Sequence, residues 1–178
     1  MKKFWHIALL IICTFVVSSC GDKDDDDYLE VDEAWKTQNI EFFENLMRDP
    51  SFEKLYSQSN AGFILYKVLK EGKSKEQIFY TSKVSLHYKG SFINGDVFDD
   101  HTFEAGEPYT GTDGKGAPVN GFVDGFATAL QYMHPGDVWE FYVPYQMGYG
   151  EKGRKGRPNI LPYTTMHYVV EIVELMEQ

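Results

Sequence analysis

Several segments of this 178-residue chain alternate apolar and polar residues with a period of two, and this pattern limits the fold more than any other feature. Residues 84–89 alternate Val, Leu and Tyr with Ser, His and Lys. Similar alternation recurs in residues 64–69, 138–143 and 166–172. Because successive side chains of a strand point to opposite faces, each segment predicts a strand with one buried face. The pattern predicts a sheet of four or five strands, with Tyr88 on its inner face.

One segment between the predicted strands has helical spacing instead. Apolar residues recur on one side of it at Phe122, Phe126, Leu130 and Met133, and the turn-forming residues 134–137 stop it. A sheet that wraps one helix is an α+β arrangement, and no repeat at solenoid or propeller spacing is present. The apolar content of 43% is sufficient for a packed core.

The N-terminus has the pattern of a targeting segment, and residues 1–19 are predicted to be a signal peptide. A short basic start precedes an apolar run from Phe4 to Val17, which is shorter than the ~20 residues that span a bilayer. Ser18-Ser19-Cys20 resembles a bacterial lipobox, so Cys20 is predicted to carry the acyl chains. The alternative is an ordinary signal peptide that is cut near Cys20 without lipid addition.

Residues 20–28 are predicted to be an extended acidic spacer behind the lipid anchor, because a run of aspartates cannot pack. The expected location is therefore the bacterial cell envelope, at the outer membrane, with the leaflet left open. The net charge of −10 makes nucleic acid a poor partner. The two cysteines are Cys13 and Cys20, so the mature domain has no thiol for a disulfide, a zinc site or a nucleophile.

Residues 29–60 are predicted to be a helical extension. An apolar stripe recurs at three- to five-residue intervals, at Trp35, Ile40, Phe43 and Met47. Asp49-Pro50 predicts the start of a second short helix that carries Phe52, Leu55 and Tyr56. We expect the stripe to dock on its own domain, and the protein to be a monomer.

Seven short motifs follow one another through the strand-rich part of the chain. They are Val-Ser-Leu-His-Tyr-Lys-Gly (84–90), Asn-Gly-Asp-Val-Phe-Asp (94–99), Gly-Glu-Pro-Tyr (106–109), Val-Asn-Gly-Phe (119–122), Gly-Tyr-Gly (148–150), Ile-Leu-Pro (160–162) and Tyr-Val-Val-Glu (168–171). In order and spacing they resemble the signature of the FKBP-type peptidyl-prolyl cis-trans isomerases, over residues 62–176. The resemblance implies an isomerase domain at 61–178, with an antiparallel half-barrel sheet of about five strands around one short helix.

The resemblance also implies a proline-binding pocket and its residues. Residues implied to be catalytic are Tyr88, Phe98, Asp99 and Tyr149. Residues implied to bind substrate are Tyr109, Val119, Phe122, Ile160, Leu161 and Tyr168. The chain departs from the family at two of these places: Phe122 stands where the family usually has Trp, and Ala105 aligns with an Arg that often pairs with the aspartate, so Asp99 is expected to lack that partner.

The implied chemistry needs no cofactor, metal or titrating group. An X-Pro bond turns over a barrier of ~18–20 kcal/mol that amide resonance sets, and a dry aromatic pocket favours the twisted, less dipolar transition state. The expected partners are proline-containing unfolded or partly folded exported proteins. Two alternatives remain: a non-catalytic peptide-binding or chaperone module, and a structural component of a surface lipoprotein complex.

Two sharper interpretations are excluded by their context. Residues 148–153 match G-x-G-x-x-G, but the residues that follow, 154–158, cannot form the helix that a dinucleotide site requires. Residues 148–158 predict a loop over the pocket. Its basic cluster, Lys152, Arg154, Lys155 and Arg157, is most simply a solvated surface, and the alternative is a contact with acidic clients or anionic head groups. The histidines have no metal-ligand spacing, so no metal site is predicted.

Overall fold

The computed structural model describes residues 29–177, with all side chains except that of Phe103. The predicted signal peptide, the acidic spacer and Cys20 lie outside the described residues. In chain order the elements are α1 (Glu33–Leu46), β1 (Glu53–Tyr56), β2 (Phe63–Lys70), β3 (Lys83–Phe92), β4 (Val97–His101), β5 (Ala117–Pro118), α2 (Asp124–Tyr132), β6 (Val138–Val143) and β7 (Met166–Glu177). Single 3₁₀ turns lie at Phe103–Ala105, Val119–Gly121 and Tyr145–Met147.

The strands form one antiparallel sheet in the order β1-β2-β6-β7-β3-β4, and the short β5 pairs with β3. Alternation decides which side chains are buried, as in β6, where Trp139, Phe141 and Val143 face inward. The prediction of an antiparallel α+β sheet around one helix is confirmed. The sheet has seven strands rather than about five, because β1 and the two-residue β5 carry no alternation that a sequence can reveal.

Helix α2 lies in the concave side of the sheet and supplies much of the core. Phe126 and Leu130 are almost fully buried. Gly125 brings the helix close to the sheet, since a Cβ at this position would collide with both methyl groups of Val143 and approach Ile64. The helix begins two residues later than predicted, because Phe122 closes the preceding 3₁₀ turn instead of opening the helix.

Helix α1 packs against the same domain, as its apolar stripe predicted. The Asp32 carboxylate accepts from the backbone N–H groups of Ala34 and Trp35 at 2.9 and 3.0 Å, which is a standard N-cap. The Trp35 indole N–H donates to Thr164 Oγ1 at 2.8 Å, and its ring meets Phe92 edge-on at 5.8 Å. The helix is therefore held by directional contacts as well as by apolar burial.

The second predicted helix, at residues 50–59, is wrong. Residues 53–56 form strand β1, which pairs with β2 from Glu53 opposite Tyr66 to Tyr56 opposite Phe63. The Asp49 carboxylate does accept a backbone N–H, that of Ser51 at 2.9 Å, but it closes a turn rather than a helix. Strand pairing is favoured over the predicted helix because β2 would otherwise have a row of unpaired backbone donors and acceptors. The segment 29–60 is thus one helix and one sheet strand, not a helical extension.

Candidate active site

A cavity of about 290 Å³ opens between β3, β4, the start of α2 and the loop after β6. It is lined by Tyr88, Phe98, Asp99, Gly121, Phe122, Val123, Phe126, Tyr149, Arg154 and Tyr168. Six of the ten residues that sequence analysis named for the pocket are among them: Tyr88, Phe98, Asp99, Phe122, Tyr149 and Tyr168. Motifs that lie up to 80 residues apart in the chain therefore converge on one concave, largely aromatic site.

One wall of the cavity is the ring of Phe98, which lies directly over the backbone of β3. Its centroid is 5.7 Å from that of Tyr168, with the two rings nearly perpendicular. A Cβ on Gly90 would lie 2.5 Å from Phe98 Cε2 and 2.9 Å from Tyr168 Cε1. Only glycine at this strand position leaves room for both rings. Sequence analysis missed this role, since Gly90 appeared there only as the end of a motif.

The floor is a pair of stacked phenylalanines. The Phe122 and Phe126 rings lie 4.4 Å apart and 15° from parallel, and the Tyr168 ring meets Phe126 edge-on at 4.9 Å. Sequence analysis assigned Phe126 to the core alone. The residue is only 1% exposed, yet one face of its ring also closes the cavity. Phe122, at the place where the family usually has Trp, therefore rests on a second ring.

The polar side of the cavity is built around Asp99. The Tyr88 hydroxyl donates to Asp99 Oδ2 at 2.7 Å, and His101 Nε2 lies 3.1 Å from Asp99 Oδ1. Strand pairing places His101 directly opposite Tyr88, with the two rings 5.0 Å apart. Ala105 stands where the family often has an arginine, and the partners that the structure gives Asp99 are the Tyr88 hydroxyl and His101 on its own strand. The sequence places His101 two residues after Asp99 on the same strand, so this partner could have been considered from the sequence.

Burial keeps the two inner tyrosines in their neutral form. The pKa of Tyr88 is raised strongly, first by desolvation and then by its hydrogen bond to the Asp99 carboxylate. The pKa of Tyr168 is also raised strongly, mainly by burial. Tyr88 therefore remains a hydroxyl donor at any pH at which the protein is folded, and its bond orients the carboxylate.

The sequence profile of the FKBP-type peptidyl-prolyl cis-trans isomerases matches residues 74–173, which is more than half of the chain and contains all of this site. The chain belongs to this family. The isomerase Mip of Coxiella burnetii is 38% identical over 96 residues, which are 54% of this chain and 38% of that protein. The 22 kDa FKBP-type isomerase of Escherichia coli is 36% identical over 96 residues, 54% of this chain and 42% of that protein. The chain thus spans about two fifths of these relatives.

The fold of this FKBP family member is also that of a solved structure. The crystal structure of FkpA from Escherichia coli superimposes with a TM-score of 0.66 over 82% of this chain and 61% of that chain, at 23% identity. At this identity the likeness concerns the fold.

Four of the residues named for the FKBP-type pocket do not line the cavity. The Tyr109 ring stands behind it, edge-on to Tyr88 at 5.8 Å, with its backbone bonded to Leu86. Val119 and Ile160 are fully buried in the core. Leu161 is partly buried, and its carbonyl accepts from the Thr164 hydroxyl at 2.7 Å. These residues support the cavity walls from outside in the structure as it stands.

The loop that continues from Tyr149 is tied down by backbone hydrogen bonds. Arg154 and Ile160 exchange both of their bonds, at 2.7 and 2.9 Å, and the Gly153 N–H donates to the Tyr149 carbonyl at 3.1 Å. The Arg154 guanidinium carbon lies 5.0 Å above the centre of the Tyr149 ring, in a cation–π contact, and the side chain lines the cavity. From the sequence, this arginine was named only as one member of the basic cluster in the loop, and not as a residue that lines the cavity.

Two other features of residues 29–177 bear on the assignment. A second cavity, of about 320 Å³, lies between α1 and the 3₁₀ turn Tyr145–Met147 and is largely apolar. Within the same residues, no group of three or more His, Cys, Asp or Glu side chains is placed to hold a metal ion, and no helix is both long and apolar enough to cross a bilayer.

Proposed function

We propose that this protein catalyses the cis-trans isomerisation of X-Pro bonds in exported proteins as they fold. The observation that carries the proposal is the aromatic cavity, in which Phe98, Phe122 and Tyr168 surround a space with polar groups from Tyr88, Asp99, Tyr149 and Arg154 at its edge. A proline ring is apolar and compact, and a site of this size and lining suits it. The relatives from Coxiella burnetii and Escherichia coli are named for the same activity.

The chemistry fits a site without a nucleophile or a metal. An uncatalysed X-Pro bond isomerises in about 10–100 s, because rotation breaks the amide resonance. A ten-thousand-fold acceleration requires the transition state to be stabilised by about 5.5 kcal/mol more than the ground state. The twisted amide is less dipolar than either planar isomer, so transfer into a dry aromatic cavity penalises the planar forms more.

Each polar group then has a positioning task. The Tyr149 hydroxyl, at the edge of the cavity, holds the carbonyl of residue X, and the Tyr88–Asp99 pair keeps that edge in shape. Since none of these groups transfers a proton, we expect no cofactor. The rings of Phe98 and Tyr168 keep water away from the amide.

The test is a pair of variants in an NMR exchange assay on a short X-Pro peptide. Phe98→Ala removes a cavity wall, and we expect it to lower kcat/KM by at least about tenfold, which is 1.4 kcal/mol of transition-state stabilisation. Tyr142→Ala is the control, because that strand aromatic packs outside the cavity against Phe42 and His167. Equal losses in two variants with native circular dichroism would contradict the cavity assignment.

The same assay separates catalysis from simple binding. A non-catalytic peptide-binding module would show chemical-shift changes at the cavity residues on peptide addition, with no acceleration of exchange. That result would replace the isomerase proposal with the binding or chaperone alternative. Acceleration by the wild-type protein, abolished by Phe98→Ala, supports the isomerase.

We further propose that the protein is held in the bacterial cell envelope by acyl chains on Cys20. The support is the basic start, the short apolar run and the Ser-Ser-Cys junction of residues 1–20. Two or more acyl chains anchor a protein stably, whereas a single chain does not. Mass spectrometry of the N-terminal peptide tests this proposal. An unmodified Cys20 at the mature terminus, or cleavage at another site, would contradict it.

We also propose that the protein is a monomer. The apolar side chains of α1 are used within the domain: Trp35 packs on Phe92, Phe43 on Phe63, and Phe42 on Tyr142. Light scattering after size-exclusion chromatography tests this, and a mass of twice the chain would contradict it.

A further inference from the structure

Arg154 is a cation at the cavity, and none of the described acidic side chains forms an ion pair with it. The chain carries 27 acidic residues against 17 basic ones. The described ion pairs involve Lys36, Lys67, Lys70, Lys83, Lys89 and three histidines, and within residues 29–177 none includes Arg154. In so acidic a chain, an arginine without a carboxylate beside it is an available receptor for one.

Asp99, the acidic residue that lines the cavity, already has other partners. Asp99 accepts from Tyr88 through Oδ2 and contacts His101 through Oδ1. Both of its oxygens are therefore occupied by neighbours on β3 and β4. The charge of Arg154 nevertheless reaches the cavity floor, where it opposes the effect of burial on the pKa of Tyr168.

Arg154 is also held in a defined place. Its backbone exchanges two hydrogen bonds with Ile160, and its guanidinium carbon lies 5.0 Å from the centre of the Tyr149 ring. The planar N–H groups of a guanidinium match the two oxygens of a carboxylate. The Arg154 side chain is therefore partly ordered before a ligand binds, so binding costs it less conformational entropy.

We infer that Arg154 makes the site selective for prolines preceded by an acidic residue, so that the preferred substrates are Glu-Pro and Asp-Pro segments. The inference rests on the proposed isomerase function. In that proposal the Tyr149 hydroxyl holds the carbonyl of residue X. The side chain of X leaves the same residue, and the Arg154 guanidinium lies 5.0 Å from the centre of the Tyr149 ring. A carboxylate on X therefore meets Arg154 as the proline enters the cavity.

The test compares three blocked peptides, Ala-X-Pro-Phe with X as Glu, Gln or Lys, by NMR exchange at about pH 7. We expect kcat/KM for Glu to exceed that for Gln by about fivefold at low salt, the upper range for an exposed charge pair, with Lys the poorest. Raising the salt from about 20 mM to about 500 mM should shrink the Glu-to-Gln ratio towards one, because the Debye length falls to a few ångströms.

The variants isolate the residue. Arg154→Gln should bring the Glu-to-Gln ratio close to one, and Arg154→Lys should keep part of the preference as a point charge. Arg157→Gln is the matched control: it removes one positive charge from the same loop at a position that does not line the cavity, and the ratio should stay at the wild-type value. A wild-type ratio near one, or a ratio that survives Arg154→Gln, overturns the inference.

Failure of the isomerase proposal would look different. If the wild-type protein accelerates exchange of none of the peptides, the same series is titrated and its dissociation constants are compared. A fivefold tighter binding of the Glu peptide that Arg154→Gln abolishes supports the acidic specificity without catalysis. Equal affinities for Glu and Gln peptides reject it.

Discussion

His101 Nε2 lies 3.1 Å from Asp99 Oδ1, while the Tyr88 hydroxyl occupies Oδ2 at 2.7 Å. The Asp99 carboxylate at the edge of the cavity is therefore contacted from both β3 and β4. The contact is an ion pair when the imidazole is protonated, and it is a close polar contact when the ring is neutral. The aspartate keeps its orientation although Ala105 replaces the arginine that often pairs with it in the family.

The first prediction concerns the contact between His101 and Asp99. His101→Ala should lower kcat/KM for an X-Pro peptide by about three- to tenfold, because loss of the imidazole contact loosens Asp99 and with it Tyr88. His101→Gln should recover most of the loss, since the amide keeps an N–H donor. His134→Ala, in a turn away from the cavity, is the control. Identical rates in His101→Ala and wild type would show that Asp99 needs no second partner.

The second prediction concerns the glycine beneath Phe98. Gly90→Ala should reduce kcat/KM by at least about tenfold, because overpacking forces the Phe98 and Tyr168 rings out of place at a cost of about 1–3 kcal/mol. Gly156→Ala is a matched control, since a Cβ there comes no closer than 3.4 Å to another atom. The side-chain shifts of Phe98 report the displacement. A fully active Gly90→Ala protein with unmoved ring resonances would refute the steric argument.

The third prediction concerns the attachment of α1. Asn39 is fully buried: its amide donates to the Trp35 carbonyl at 2.8 Å, and its Oδ1 accepts from the Thr165 N–H at 2.8 Å. Asn39→Ala leaves that buried N–H without a partner, so the free energy of unfolding should fall by about 1–3 kcal/mol. Asn45→Ala, on the exposed face of the same helix, should change it by less than about 0.5 kcal/mol. Urea titrations measure both, and equal effects would contradict the prediction.

The fourth prediction is a dependence of stability on pH. His167 stacks on Tyr142 at 4.5 Å, between Ser91 and Glu140, and burial lowers its pKa from 6.5 although Glu140 opposes the shift. A lowered folded-state pKa means that the unfolded chain binds the proton first. His167 therefore leaves the free energy of unfolding unchanged above pH 6.5 and lowers it as the pH falls below that value.

The measurement compares wild type with His167→Gln in urea titrations at several pH values between about 5 and 7.5. Wild type should lose more stability over this window than the variant, which has no group that titrates there at this position. Parallel losses in the two proteins would mean that protonation of His167 is not linked to unfolding.

The strands that carry the site were predictable because their patterning is local. In β3, β6 and β7 the inward residues alternate, and Tyr88 and Tyr168 could be assigned to the inner face from the period of two alone. Strand β1 could not be foreseen, because Phe52, Leu55 and Tyr56 are spaced as well for a helix as for a strand. What selects the strand is the open edge of β2, and that partner is absent from any local window.

Within the site, the residues that went unnoticed all act through a neighbour brought in by the fold. His101 matters because the register sets it beside Tyr88 and Asp99, and Arg154 because its loop turns back over Tyr149. Phe126 has the spacing of a core residue and is one, but the cavity meets its ring as well. Contacts across strands and loops depend on tertiary geometry, for which the sequence of one chain carries no direct signal.

The placement of α1 and β1 decides where this protein can be cut. A fragment that starts at residue 74, where the family profile begins, would lack β2 and leave β6 as a sheet edge with unpaired backbone groups. A fragment that starts at Gly62 would keep β2 but expose Phe63, Tyr142 and Phe92, which α1 and β1 cover. The first truncation exposes unpaired backbone groups and the second exposes aromatic side chains, and both surfaces favour self-association. The shortest fragment that keeps both of these covers therefore starts at the Asp32 cap, well before the residue at which the family profile begins.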